Sequence, residues 1–213
     1  NGLEFGSGKG IYQTDMIGVN YSDNWGKKNK VSMNYLFNEI ENNNKNKTRI
    51  ENLLPDNRFI TESTSDLRSK ASNHTFNYDI EMELDTSTTL TIVPSLKRGI
   101  NFSRTENTSD TKNVFGADLN QSKSTNISNI DSYNFQNELL IAHRFKKKGR
   151  SISVGFGNKN TKNETNQLKN SEAYFFQTQA VPDIRNQQIN SNNHTDEYTL
   201  NVIYREPINN QQS

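Results

Sequence analysis

The sequence predicts an all-β fold, an antiparallel up-and-down meander, and three observations predict it. Apolar and polar residues alternate along seven segments, the period of a strand with two unlike faces. Three pairs of these segments meet at turns of a few residues rich in Gly, Lys, Asp and Ser, the chemistry of a tight antiparallel connection. The next link is each time a stretch of about 30 residues, far longer than most connections in compact soluble domains.

The strands are expected at 11–25, 31–40, 71–85, 89–98, 133–145, 151–158 and 198–205. In the first hairpin Ile17, Val19, Tyr21 and Trp25 share one parity with Val31, Met33, Tyr35 and Phe37. Gly18, Asn20, Ser22, Asn24, Ser32, Asn34 and Asn38 occupy the other, and Gly26-Lys27-Lys28-Asn29-Lys30 makes the turn. The second hairpin sets Phe76, Tyr78, Ile80, Met82 and Leu84 against Leu90, Ile92, Pro94 and Leu96, turning at Asp85-Thr86-Ser87-Thr88. The third sets Tyr133, Phe135, Leu139, Ile141 and Phe145 against Ile152, Val154 and Phe156 across Lys146-Lys147-Lys148-Gly149-Arg150, with Asn137 and His143 breaking its pattern. The seventh strand carries Tyr198, Leu200, Val202 and Tyr204.

Alternation alone fits a water-soluble sandwich as well as a transmembrane barrel. Three features lean toward lipid. Trp25, Phe145 and Tyr204 stand at strand ends beside the short turns, where an interfacial girdle places aromatic rings. The strands reach about ten residues, the length that crosses a bilayer at a tilt. The connections are short on one side and long on the other. The hydrophobic fraction of 30% and mean hydropathy of -0.96 would indicate disorder if spread evenly, but the apolar residues concentrate in the strands. Roughly one residue in six is Asn, mostly in the intervening stretches. No apolar run approaches the length of a transmembrane helix, which excludes helical spanning and leaves a barrel open. The net charge of +1 gives no strong electrostatic case for nucleic acid, and the absence of cysteine removes disulfides and thiolate metal sites. The odd strand number, the start at Asn1 without a signal peptide, and the turn-like Arg205-Glu206-Pro207-Ile208 lead us to expect a piece of a larger barrel, with residues 1–213 one partial barrel domain.

Several short motifs carry a resemblance in order and spacing. They are Gly18-Val19-Asn20-Tyr21-Ser22-Asp23-Asn24-Trp25-Gly26-Lys27-Lys28, Leu54-Pro55-Asp56, Val93-Pro94-Ser95-Leu96, Phe145-Lys146-Lys147-Lys148-Gly149-Arg150 and Tyr204-Arg205-Glu206-Pro207. Together they resemble the barrel region of the TonB-dependent-receptor-like outer-membrane β-barrel family. The resemblance implies a parent with an N-terminal periplasmic domain, a plug inside the barrel and about 22 strands. It also implies periplasmic short turns, and extracellular long loops at 41–70, 99–132 and 159–197, each expected to continue its flanking strands above the membrane. The implied partners are outer-membrane lipid, the remaining strands and plug of the parent barrel, a TonB-type energy-coupling system and an extracellular solute.

No constellation in the sequence carries catalytic chemistry, so no catalytic, cofactor-binding or metal residue is assigned and the chain is not expected to be an enzyme. His74, His143 and His194 are scattered and read as polar surface residues. Gly6-Ser7-Gly8-Lys9-Gly10 lacks the Lys-Ser/Thr ending of a phosphate loop and precedes a strand, so it reads as a flexible loop or glycine kink. Asp79, Glu81 and Glu83 alternate along one face and read as a hydrated lumen wall. The Lys/Arg clusters at 27–30 and 146–150 read as solvated turns near anionic headgroups. Arg58-Phe59-Ile60-Thr61, Val114-Phe115 and Tyr174-Phe175-Phe176 are apolar islands within the long stretches, read as anchors that hold a loop down. Asn46-Lys47-Thr48 and Asn126-Ile127-Ser128 match a glycosylation pattern that an Asn-rich chain contains by chance. The expected function is solute binding or uptake at the cell outer membrane. The alternative is a soluble extracellular β-sheet binding or adhesion module.

Overall fold

All seven expected strands are present, and six of them run far past the segments that alternate. The computed structural model describes residues 10–54, 57–178 and 181–208. The strands are β1 (Ile11–Trp25), β2 (Asn29–Leu54), β3 (Asn57–Glu83), β4 (Thr88–Asn113), β5 (Asp118–Arg144), β6 (Ser151–Phe175) and β7 (Asp183–Arg205). They form one seven-stranded antiparallel sheet whose strand order is the chain order.

The long stretches continue their flanking strands, as expected, and so completely that the loop assignment and the strand bounds are corrected. Residues 41–70, 99–132 and 159–197 are mostly β-ladder, closing at pairs such as Asn52↔Phe59, Lys112↔Asp118 and Ala173↔Asp183. Here both faces are polar, so no apolar period marks the strand, yet β-branched Thr and cross-strand hydroxyl pairs still favour the pleat. Thr61 and Thr111 hydroxyls meet at 3.0 Å, and Ser63 donates to Ser109 at 3.1 Å. The glycosylation-like Asn46 and Asn126 thus lie within β2 and β5. Of the glycine-rich stretch, residues 6–9 fall outside the described residues; Gly10 has φ 108° and leads directly into β1.

The short turns follow the sequence. Gly26 and Gly149 take φ of 76° and 83°, a left-handed conformation that L side chains resist. The β3–β4 turn is organised by Asp85, whose carboxylate accepts the Ser87 hydroxyl and amide, both at 2.7 Å, and the Thr88 hydroxyl at 2.9 Å. These bonds, that from the Ser87 side chain foremost, hold the Asp85 carboxyl well below the usual carboxylate range. The two irregular positions of the third hairpin also find partners. Asn137 lies opposite Pro94, and the β3–β4 ladder skips between Asn77↔Ser95 and Ile80↔Ile92, where Pro94 has no N–H to give. His143 Nδ1 lies 2.9 Å from the Thr88 hydroxyl.

The sheet is a single layer and is not closed. β1 and β7 are its two edges and pair only with β2 and β6. Among the described residues Val31, 2% exposed, is the only fully buried apolar side chain. An apolar face without a second layer is the main architectural fact of this molecule.

Candidate membrane interface

Directly opposed residues of an antiparallel pair lie on the same face, so the register carries the parity of each strand across the whole sheet. Val31, Ile80, Ile92, Leu139, Phe156 and Leu200 form one unbroken apolar row over six strands. The next row toward the turns is Met82, Leu90, Ile141, Val154 and Val202. A third, on the other side, joins Val19, Tyr35, Phe76, Leu96 and Phe135. Between the first and third lies a row of Tyr21, Met33, Tyr78, Pro94, Asn137, Asn158 and Tyr198, so the stacked rows make an apolar band beside the short turns that two asparagines interrupt on β5 and β6.

Both margins of the band are marked. On the turn side stand Trp25, Leu84, Phe145 and Tyr204, with the Trp25 indole N–H donating to the Tyr21 hydroxyl at 3.2 Å. On the far side His74 lies among aromatic rings, 4.9 Å from Phe37 and 6.2 Å from Tyr35 between centroids. Immediately beyond, the same face turns ionic. Lys70 pairs with Glu39 at 2.6 Å and Glu41 at 3.0 Å, and Arg98 with Asp131 at 3.0 Å. Lys162–Glu164 continues the series at 2.5 Å, and on β7 His194 Nε2 lies 3.0 Å from the Asp196 carboxylate.

The band runs obliquely to the rows of paired residues. The row that begins at Ile17 and Phe37 on β1 and β2 passes through His74, Arg98, Tyr133 and Lys162 to end at His194. On β7 the first band residue is Tyr198, four positions closer to the turns. Strands tilted to a membrane normal require this drift, because a level apolar slab cuts tilted strands at successively shifted residues.

The opposite face is mostly polar at the same height, with Leu36, Val93, Leu140 and Ile203 among its apolar residues. Ser95 donates to Asn77 at 2.7 Å, Asn77 to Asn34 at 3.4 Å and Asn34 to Asn20, a hydrogen-bonded row over four strands. Asp79, Glu81 and Glu83 share this face. Glu81 pairs with Lys30 at 2.9 Å, while Asp79 and Glu83 have no ion-pair partner among the described residues. Gly99 lets Asn73 and Ser132 close over it, since a Cβ there would stand 2.9 Å from Asn73 Oδ1 and 2.8 Å from Ser132 Oγ.

The three histidines stay apart, each in its own local contact. The Asp196 partner of His194, two residues along the same strand face, is a contact that spacing rules for metal ligands do not flag. No group of three His, Cys, Asp or Glu able to hold a metal exists among the described residues. The apolar islands sit at the far ends of the hairpins, where Phe115 is 92% exposed and Tyr174 and Phe176 lie with centroids 6.3 Å apart. The Phe176 amide donates to the Leu119 carbonyl at 3.1 Å, joining two neighbouring tips. No helix among the described residues is long and apolar enough to cross a membrane. Compared with known proteins, the chain matches no family model and no curated protein.

Proposed function

We propose that the chain is a segment of an outer-membrane β-barrel of the TonB-dependent-receptor-like kind, serving solute binding or uptake, with its apolar band in lipid and its polar face toward an aqueous lumen. One observation carries the reading: an oblique apolar band crosses all seven strands on one face, and no second layer covers it. A soluble module would have to cover that band or leave Val19, Val154, Phe156 and Leu200 in water, at roughly 25 cal/mol per Å² of apolar surface. In hydrocarbon the same face needs no cover, provided that every backbone group is paired. The involvement of a plug, an energy-coupling partner and a solute rests on the sequence resemblance.

Trp25 is the only tryptophan and reports on this reading directly. In vesicles of brominated phospholipid its emission should be quenched more by bromines near the headgroups than by bromines near the acyl termini, as a band margin requires. A tryptophan placed at Val154 should show the reverse order. A chain that stays in the aqueous supernatant when detergent is removed, with Trp25 emitting as in water, would refute the lipid reading.

A further inference from the structure

The two ends of the sheet differ in charge. The connections at 26–30, 84–87 and 145–150, with residues 205–207, hold eight cationic side chains against two carboxylates, Asp85 and Glu206. The far tips are balanced: Lys112 pairs with Asp118 at 3.5 Å, and Arg185 with Asp183 at 2.7 Å. At the turn end three cations are neutralised, Lys30 by Glu81 and both Lys147 and Arg150 by Glu206. Lys27, Lys28, Lys146, Lys148 and Arg205 have no ion-pair partner among the described residues. The four lysines stand on the first and third short turns, next to Trp25 and Phe145 at the margin of the apolar band, and Arg205 is the last residue of β7.

From this placement we infer that the turn end is a binding rim for anionic phospholipid headgroups, with Lys27, Lys28, Lys146 and Lys148 as its contacts. The inference rests on the lipid reading of the band and names the partner of its lower margin. Charge complementarity selects the occupant. Unpaired ammonium groups on short turns meet phosphate at the depth where the band meets water, and each such group near an anionic surface adds favourable binding that salt screens. Neutral lipid would satisfy the band alone and leave these four charges without counterparts.

The test compares flotation of the full chain with vesicles of phosphatidylcholine alone and of equal parts phosphatidylcholine and phosphatidylglycerol. The wild type should partition about tenfold or more in favour of the anionic vesicles at low salt, and lose that preference as salt rises. The quadruple variant K27Q/K28Q/K146Q/K148Q should lose most of the preference, while K27R/K28R/K146R/K148R keeps it. A glutamine variant that prefers anionic vesicles as strongly as the wild type, an arginine variant that loses the preference, or a wild type without one overturns the rim. In each of those cases binding to phosphatidylcholine leaves the lipid reading of the band standing. Failure to float with either vesicle overturns both.

Discussion

Phe37 on β2 and His74 on β3 face one another with ring centroids 4.9 Å apart, and this contact marks where the apolar face ends. One pair further along, Glu39 lies opposite Ser72, and the next is Glu41 opposite Lys70. The change from hydrocarbon-compatible to ionic surface is thus completed within two rows. The cost of a charge should follow that boundary.

Arginine at Ile80, mid-band, should cost about 2–4 kcal/mol of folding free energy in lipid vesicles, while arginine at Phe37, at the margin, should cost about 0–1 kcal/mol. Arginine at Glu81, on the polar face, removes only an exposed ion pair with Lys30 and should cost less than about 1 kcal/mol. Denaturation of the vesicle-bound oligomer ranks all three. If Glu81→Arg proves worse than Ile80→Arg, the two faces have been assigned the wrong way round.

Glycines of the polar face should respond in opposite directions. Gly99→Ala would push its Cβ against the Asn73 and Ser132 side chains, where the nearest atoms stand 2.9 and 2.8 Å away, and should destabilise by about 1 kcal/mol or more. At Gly155 and Gly157 the nearest atoms lie at 3.7 Å in ordinary contact. Alanine there should stabilise by about 0.4–1 kcal/mol through the unfolded chain. Denaturant midpoints distinguish the cases, and a stabilising Gly99→Ala would contradict the crowding described.

Glu206 clamps the β5–β6 turn to the chain after β7, accepting from Arg150 at 2.6 and 2.9 Å and from Lys147. The Arg150 guanidinium foremost, then Lys147, holds its carboxyl well below the usual range. A depressed folded pKa gives stability that is complete above the unfolded value and is lost only as pH falls through the folded one. The Glu206 carboxyl should therefore stay ionised on acidification past the ordinary carboxylate range, as its carboxyl-carbon chemical shift would report, and Arg150→Gln should move its titration upward. A titration at the ordinary glutamate value in the wild type would remove the clamp.

The open edges predict the state of the isolated chain. β1 and β7 expose unpaired N–H and C=O groups along their outer sides, which cost several kcal/mol each in hydrocarbon. In detergent the chain should sediment as oligomers or aggregates. A sharp monomer with β1 and β7 cross-linked to each other within one copy would show a small closed barrel and end the large-barrel reading.

The band was legible from the sequence because most of its residues alternate with a polar neighbour, and the register then sets Val31, Ile80 and Leu139 in one row. The turn ends were equally plain at Gly26, Asp85 and Gly149, where conformation demands particular residues. In the distal halves of β2 to β7 the continuation of the strands was legible from the apolar islands, but its extent and register were not. Between Asn43 and Asn52, or Asn101 and Asn113, polar residues occupy both faces, so hydrophobic period carries little information there and the ladder is held by backbone and hydroxyl bonds. The obliquity of the band was hidden for a different reason: it depends on register between strands, which the alternation within any one strand does not set.

Strand order that equals chain order has a consequence for growth. Each strand is bonded only to its neighbours in the chain, so no strand threads between two others and every contact is made by a hairpin closing on the one before it. A hairpin can be added at either margin without re-pairing those already formed, widening the sheet by two inter-strand spacings, about 10 Å. The circumference of any pore built on this plan is then adjustable in hairpin-sized steps, while the depth of its apolar belt, written separately into each strand, stays the same.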